Sequence, residues 1–361
     1  MTAHIPLAAG STMPPCDVYD VALLDLDGVV YVGPDAVPGV PEALTAARAA
    51  GMRLGFVTNN AARTPEEVAE HLTALGVPAG ATDVITSSQA AATVVATRWA
   101  PGAPVLPVGG PGVAAALRAA GLTVVERAED APVAVVQGFG PEVGWRHLAE
   151  AVVAVRRGAR HVATNTDATI PSPRGLLPGN GAMVDVVSAI TGQAPLVTGK
   201  PDPAMHAECV RRTGAQRPLV IGDRLDTDIE GARRAGADSL LVLTGVTDPA
   251  ALLAAVPLHR PDLLAPDAAG LLVAHPPVLA DGAGRRCGAW SVQGAEAEGV
   301  LALRADDAAA DPADGDELDG LRALCVAHWT RHPEDGAPGR VIATGDRAAE
   351  ALRRWGLSPD E

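Results

Sequence analysis

A chain of 361 residues, 48% apolar and 20% charged, is long enough for two or three packed domains and has the composition of a globular protein. Its net charge of −15 argues against a nucleic-acid partner, which needs clustered Lys and Arg, and against an anionic membrane surface. The apolar runs are too short to span a bilayer, while a small anionic substrate stays open because a bound divalent cation reverses the local field.

Residues 1–16 have neither a basic start nor a sustained apolar stretch, so no signal peptide is expected. Beyond them, apolar runs alternate with amphipathic Ala- and Leu-rich segments, the pattern of a parallel sheet covered by helices. Four runs end in a chemically useful polar residue: VALLD at Asp25, RLGFVT at Thr58, PLVTGK at Lys200 and PLVIGD at Asp223. Continuous apolar runs are what strands buried on both faces look like, and ligands of open α/β sheets bind beyond the strands' carboxyl ends. One sheet edge is therefore expected to gather Asp, Thr, Lys and Asp.

Helix signals follow these runs. Thr64-Pro65-Glu66-Glu67 reads as a capping box with a stop near Gly76. Asp202 caps a helix from Pro203 to about Gly214, and Asp226-Thr227-Asp228 opens one that stops at Gly236. The 31 residues from Asp27 to Thr58 suit a hairpin and one helix. The 142 from Thr58 to Lys200 are too many for one crossover and hold further strands (105–110, 133–138, 161–165), which marks an inserted α/β domain.

After residue 272 the character changes. HPPVLADGAGRR reads as a linker, residues 287–305 as paired strands, and 306–317 as a solvated acidic loop. Leu318, Leu321, Cys325 and Trp329 have near-helical spacing and are expected to pack in a core. A strand and a final helix complete a small unit, and Gly345-Asp346 reads as a turn. The four cysteines (Cys16, Cys209, Cys287, Cys325) form neither a disulfide framework nor a metal-knuckle spacing, so reduced cytoplasmic thiols are expected. Among 28 basic residues only Lys200 is a lysine, which points to a site that needs an ammonium rather than a guanidinium.

The chemistry these residues support is phosphoryl transfer. Asp27-Gly28 alone could be a hairpin turn, but a carboxylate at Asp25 closing an apolar run is costly unless paired or metal-bound. Transfer from a monoester demands a nucleophile in line, an acid for the leaving alkoxide and positive charge around the phosphoryl oxygens. Asp25 fits the nucleophile and Asp27 the acid/base. Mg²⁺, an oxygen-seeking ion, would take Asp25, Asp223, a substrate oxygen and one backbone carbonyl. Thr58, the Asn59 N–H and Lys200 would hold the phosphoryl group, with Asp228 orienting Lys200 or a metal-bound water.

The segments Asp25-x-Asp27-Gly28-Val29, Val57-Thr58-Asn59-Asn60, Gly199-Lys200-Pro201 and Gly222 to Ile229 resemble the four motifs of the haloacid dehalogenase-like hydrolase superfamily, over residues 17–270. The long insert resembles the C2-type cap of the NagD and 4-nitrophenylphosphatase branch. The resemblance implies a Rossmann-like three-layer α/β/α core (17–85 and 195–270), an inserted α/β cap (86–194) that closes over the substrate, and a small C-terminal α+β extension (275–361). It implies Asp25 as nucleophile, Asp27 as acid/base with its carbonyl on Mg²⁺, and Asp223 as metal ligand. Asp27 at the second position favours phosphatases over dehalogenases. Asn165, Asp167 and Arg174 resemble the cap's substrate loop, with Thr166 in place of the usual proline; ordinary cap turns are the alternative for them. The layout is most similar to actinobacterial glycerol-3-phosphate phosphatases, with phosphoglycolate phosphatases close behind. Members of this branch are often homodimers, though no interface signature stands in this sequence.

Three competing readings are weaker. Gly109-Gly110-Pro111-Gly112 follows a strand and opens a helix, but it lacks dinucleotide-loop spacing and leaves Asp25, Asp27, Lys200 and Asp223 unexplained. A mutase of this superfamily would carry a helical cap just after the first motif, where there is no room for one. The last unit could be a degenerate acetyltransferase-like fragment, but a Gly-rich pyrophosphate loop is missing from it.

Overall fold

The computed structural model describes residues 5–170, 174–295, 299–306 and 318–357, so 307–317 of the acidic segment lie outside the described residues. The chain divides into two compact units, residues 1–54 with 217–361, and residues 55–216. The α/β architecture is the one expected.

In the first unit four parallel strands lie in the order Leu263–Ala265, Asp238–Val242, Pro218–Gly222, Val21–Leu24. Leu24 faces Ile221, Ile221 faces Leu240, and Leu240 faces Leu263. Every residue of Val21–Leu24 is buried, as a strand covered on both faces requires. The expected hairpin and helix follow it: Tyr31–Val32 pairs with Asp35–Ala36, and a helix runs Val40–Ala49. The hairpin turns at Gly33-Pro34, so Asp27-Gly28 is not its turn.

The C-terminal part of this unit departs from expectation. The segment read as a linker forms a hairpin, Leu279–Asp281 against Gly284–Cys287, turning at Gly282 with φ +59°. Its Asp-Gly-Ala-Gly punctuation belongs to a tight turn rather than to a tether. With Trp290–Gly294, Val300–Ala305 and Arg340–Thr344 these strands make a five-stranded sheet. The helix Asp319–Arg331 lies on it and is buried at every position from Asp319 to Trp329. It has no solvent face because the sheet covers one side and the helix Pro249–Leu253 packs on another. Leu252, Leu253 and Leu264 thus share one core with Trp290, Leu321, Leu324 and Trp329. Two arginines drawn into this core find carboxylate or carbonyl partners. Arg322 pairs with Asp319 at 2.6 Å and donates to the Leu264 carbonyl. Arg260 donates to the carbonyls of Ala255, His332, Pro333 and Asp335 and stacks 5.4 Å from the Trp329 ring.

In the second unit a parallel five-stranded sheet has the order Leu196–Val197, Arg160–Ala163, Ala134–Gln137, Pro104–Val108, Thr123–Val124. Helices Ser87–Arg98 and Pro111–Ala119 cover one face through Ala91, Val95, Val113 and Leu117. Helices Trp145–Arg156 and Asn180–Thr191 cover the other through Ala151, Ala154, Val155 and Val187. The run ending at Lys200 was expected to join the sheet of Asp25 and Asp223. Instead Leu196–Val197 pairs with Val162 and Ala163, two residues beyond the boundary expected for the cap. Only two residues of that run are paired, and both are half-buried, as an edge strand allows. The helix caps stand where the sequence placed them. Thr64 and Glu67 form the reciprocal box at 3.3 and 2.7 Å, and Asp202 accepts from the Ala204 N–H at 2.9 Å.

Inside this sheet His161 is fully buried, its Nε2 2.9 Å from Gln137 Oε1. Burial, helped by the Arg160 charge, lowers its pKa to about 4. The unfolded chain therefore takes up the proton first as the pH falls. Stability from the neutral ring is fully present above about pH 6.5 and is lost toward pH 4, by about 3 kcal/mol in all. Denaturant unfolding at pH 7 and pH 4.5 should show this loss in the wild type and less of it in His161→Gln. Equal pH dependence in the two proteins would remove His161 as its source.

Candidate active site

Two adjacent parallel strands deliver the first carboxylates. The Asp25 N–H donates to the Ile221 carbonyl at 2.9 Å, extending the ladder one residue past Leu24, and Asp223 directly follows Gly222 on the neighbouring strand. Asp228 returns on a π-helical turn, Leu225–Ile229, where the Ile229 N–H reaches back five residues to the Arg224 carbonyl. Gly222 permits this return, because a Cβ there would overlap the Asp228 side chain. The Arg224 N–H then holds Asp228 Oδ2 at 3.2 Å.

One oxygen from each of Asp25, Asp223 and Asp228 lies within 4.8 Å of the others, and Asp223 and Asp228 are each only 1% exposed. Three carboxylates this close, two of them out of solvent, repel one another unless a cation or protons intervene. Hard oxygen donors at this density fit Mg²⁺. Asp228, expected to act from outside the ligand set, offers an oxygen to the same group. Asp27 was expected to offer its main-chain carbonyl, and its carboxylate is not in the group. It is exposed on a loop pinned by the Leu26 carbonyl, which accepts from Val29, Val30 and Tyr31 at 2.9–3.2 Å. Gly28, at φ +84°, supplies the left-handed turn that this loop needs.

The second unit gathers the neutral and cationic groups. Thr58 ends the strand Arg53–Thr58, is 8% exposed, and its Oγ1 accepts from the Asn60 N–H at 3.0 Å. Asn59 grips the Lys200 backbone from both ends: its Oδ1 accepts from the Lys200 N–H at 2.9 Å and its Nδ2 donates to the Lys200 carbonyl at 3.2 Å. Gly199 allows the approach, since a Cβ there would sit 2.7 Å from Asn59 Oδ1. The Lys200 charge reaches Cys209, whose thiol burial pushes up to about 12.

The cap loop is tied to the same residues. Asn165, 3% exposed, donates from Nδ2 to the Asn59 carbonyl at 2.7 Å and accepts from the Asp167 N–H at 3.2 Å. Asn180 Nδ2 donates to the Asn165 carbonyl at 2.7 Å. Asn165 thus spends its side chain inside the protein. Arg174 is exposed between the paired strands Thr169–Ile170 and Leu177–Pro178, and Asp167 is half-buried.

The glycine-rich turn at 109–112 is packing. A Cβ at Gly110 would lie 2.7 Å from Ala62 Cα, and one at Gly109 would lie 2.9 Å from the Gly138 carbonyl. The Gly112 N–H donates to the Ala62 carbonyl at 2.9 Å. Sequence reasoning missed the Asn59 side-chain grip and the loop at Thr244–Thr247, whose Val246 N–H donates to Asp223 Oδ2 at 2.7 Å. The second was findable: SLLVLT, ending at Thr244, is a fifth apolar run closed by a polar residue.

A family model for haloacid dehalogenase-like hydrolases matches residues 22–123, and a second HAD-like hydrolase model matches 197–271. A GCN5-related N-acetyltransferase-like domain model matches 287–357, so the acetyltransferase-like reading disfavoured above is the one that the C-terminal part resembles. D-glycerol 3-phosphate phosphatase of Mycobacterium tuberculosis is 42% identical over 346 residues, 94% of each chain. Acid sugar phosphatase of Staphylococcus aureus is 38% identical over 63% of this chain and 88% of its own length. Among solved structures, the M. tuberculosis glycerol phosphate phosphatase in complex with magnesium superposes with a TM-score of 0.84 at 42% identity, covering 97% of this chain and 100% of that one. A 4-nitrophenylphosphatase-type enzyme (NPPase) from Geobacillus stearothermophilus gives 0.59 at 35% identity, covering 63% and 90%.

Proposed function

The chain belongs to the haloacid dehalogenase-like hydrolases, and from that premise we propose that it is a Mg²⁺-dependent phosphomonoester hydrolase acting through an aspartyl-phosphate. The observation that carries the reading is the group Asp25, Asp223 and Asp228, three carboxylates close enough to share one cation. Asp25 attacks phosphorus in line with the ester oxygen, and the phosphorus–oxygen ester bond breaks as the phosphoryl–carboxylate bond forms. Asp27 gives its proton to the departing alkoxide. It then takes one from the water that attacks the acyl phosphate, which frees inorganic phosphate and restores Asp25. Thr58, the Asn59 N–H and Lys200 bind the phosphoryl oxygens through both steps. Mg²⁺ held by Asp25, Asp223 and the Asp27 carbonyl would supply charge neutralisation. Asp228 orients it or enters its ligand set.

Glycerol 3-phosphate is the substrate this reading favours, supported by the relative that matches 94% of the chain; in the cap segment Asn165 anchors the loop, which leaves Asp167 and Arg174 to face the leaving group. 2-Phosphoglycolate and 4-nitrophenyl phosphate are its alternatives. The reading keeps a catalytic core, an inserted cap whose sheet takes in Leu196–Val197, and an extension (275–361), assembled as a homodimer in the cytoplasm. Four buried free thiols suit a reducing compartment, and among the described residues no helix is long and apolar enough to cross a membrane.

The test is phosphate release from glycerol 3-phosphate, 2-phosphoglycolate, nucleotides, pyridoxal phosphate and 4-nitrophenyl phosphate, with Mg²⁺ and with EDTA. Metal-dependent release led by glycerol 3-phosphate is expected. Release that survives EDTA would remove the metal from the reading, and no release from folded protein would remove the phosphatase.

A further inference from the structure

Asp223 is enclosed by a loop that the mechanism above leaves without a role. The Val246 N–H donates to Asp223 Oδ2 at 2.7 Å, and the Thr247 N–H donates to the Asp223 carbonyl at 3.2 Å. Gly245 sits against the carboxylate so closely that a Cβ there would overlap Oδ2 and Cγ. Gly28 presses on the same oxygen from the loop after Asp25, where a Cβ would lie 2.5 Å from Oδ2. The Thr244 hydroxyl donates to the Gly28 carbonyl, joining the two segments that touch Oδ2.

We propose that Thr244, Gly245 and the Val246 N–H position Asp223 for metal binding, fixing one carboxylate orientation before the cation arrives. The inference rests on reading Asp25, Asp223 and Asp228 as the Mg²⁺ site. A backbone N–H on a carboxylate oxygen is a charge-assisted bond that sets the direction of the remaining lone pairs. Groups that orient a ligand in this way typically govern metal affinity by 10–100-fold. Without them the buried carboxylate would have to reorganise against its like-charged neighbours as the metal enters. The Thr244–Gly28 bond extends the device to the loop of Asp25 and Asp27, so the loops following two neighbouring strands are held in one register around the cation.

Gly245→Ala is a clean probe. The Gly245 backbone lies outside the left-handed region, so an alanine avoids left-handed strain, and the three atoms nearest its methyl all belong to Asp223. Thr244→Val keeps the side chain's shape and removes the donor. Calorimetric titration of the full chain with Mg²⁺ should show affinity reduced about 10–100-fold in Gly245→Ala and by a smaller factor in Thr244→Val. Thermal unfolding without metal should stay close to wild type. Turnover of 4-nitrophenyl phosphate should recover at high Mg²⁺ with KM unchanged, a split that general loosening of the fold would not give. Wild-type Mg²⁺ affinity in a folded Gly245→Ala protein would overturn the proposal. If that variant does not fold, wild-type affinity in Thr244→Val overturns it instead. A wild-type chain that binds Mg²⁺ but cleaves no phosphomonoester sinks the phosphatase reading and leaves this one standing. A wild-type chain that binds no Mg²⁺ sinks this one.

Discussion

Asp25→Asn is expected to reduce turnover by on the order of 10⁴-fold or more, with the fold intact. The backbone at this position is held by the Asp25 N–H to Ile221 bond and by a fully buried strand, neither of which depends on the carboxylate. Asparagine keeps the shape and removes the nucleophilic oxygen. It also removes one of three mutually repelling charges, so the metal-free variant should be at least as stable as wild type while binding Mg²⁺ less tightly. Beryllofluoride, which mimics a phosphoryl group on a carboxylate, should give a Mg²⁺-dependent bound ¹⁹F signal in the wild type and none in the variant. Turnover within tenfold of wild type would dismiss Asp25 as the nucleophile.

Removal of residues 275–361 is expected to abolish folding of the first unit. An extension of this size reads from sequence as a separable module, and an active truncated core would have supported that. The structure argues otherwise. Leu252, Leu253 and Leu264 are buried against the helix Asp319–Arg331, and Trp329 Nε1 donates to the Leu253 carbonyl at 3.1 Å. Arg260, 5% exposed, would lose the carbonyls of His332, Pro333 and Asp335, leaving a guanidinium amid newly bared apolar surface. The surface bared by the truncation is Leu-rich. Trp329→Ala is the gentler test and should cost about 3–5 kcal/mol in denaturant unfolding. A truncated chain that unfolds cooperatively at the wild-type midpoint would show the extension to be an appendage after all.

The sequence made the catalytic half of this molecule readable because burial and chemistry coincide there. An aspartate closing an apolar run contradicts its surroundings, and Asp25 and Asp223 both do so on neighbouring strands. The capping residues Thr64 and Asp202 were legible because they act within four residues of themselves. Lys200 was found but assigned to the wrong sheet, since a run of apolar residues does not state which neighbour it will pair with. The Asn59 grip on Lys200 spans 141 positions, and no local pattern reports a contact that distant. The helix Asp319–Arg331 showed an apolar stripe, but its burial of Asp319, Arg322 and His328 as well depends on what packs over its polar side. The hairpin at Leu279–Asp281 was lost because short strands and turn residues resemble a linker when the partner strand is not known.

The first unit is written at both ends of the chain, and the second lies uninterrupted between them. During synthesis the second can close its sheet as soon as residues 55–216 have emerged. One edge of the strand Val21–Leu24 must wait for Pro218–Gly222, and the core around Leu264 must wait for Trp329. At ~5–20 residues per second the first delay is roughly tens of seconds, spent with that edge of an all-apolar strand uncovered. The ribosome, rather than the finished protein, is therefore where this arrangement is most exposed to error. A chaperone that shields the first 54 residues until the last strand appears would act on the weakest moment in the protein's life.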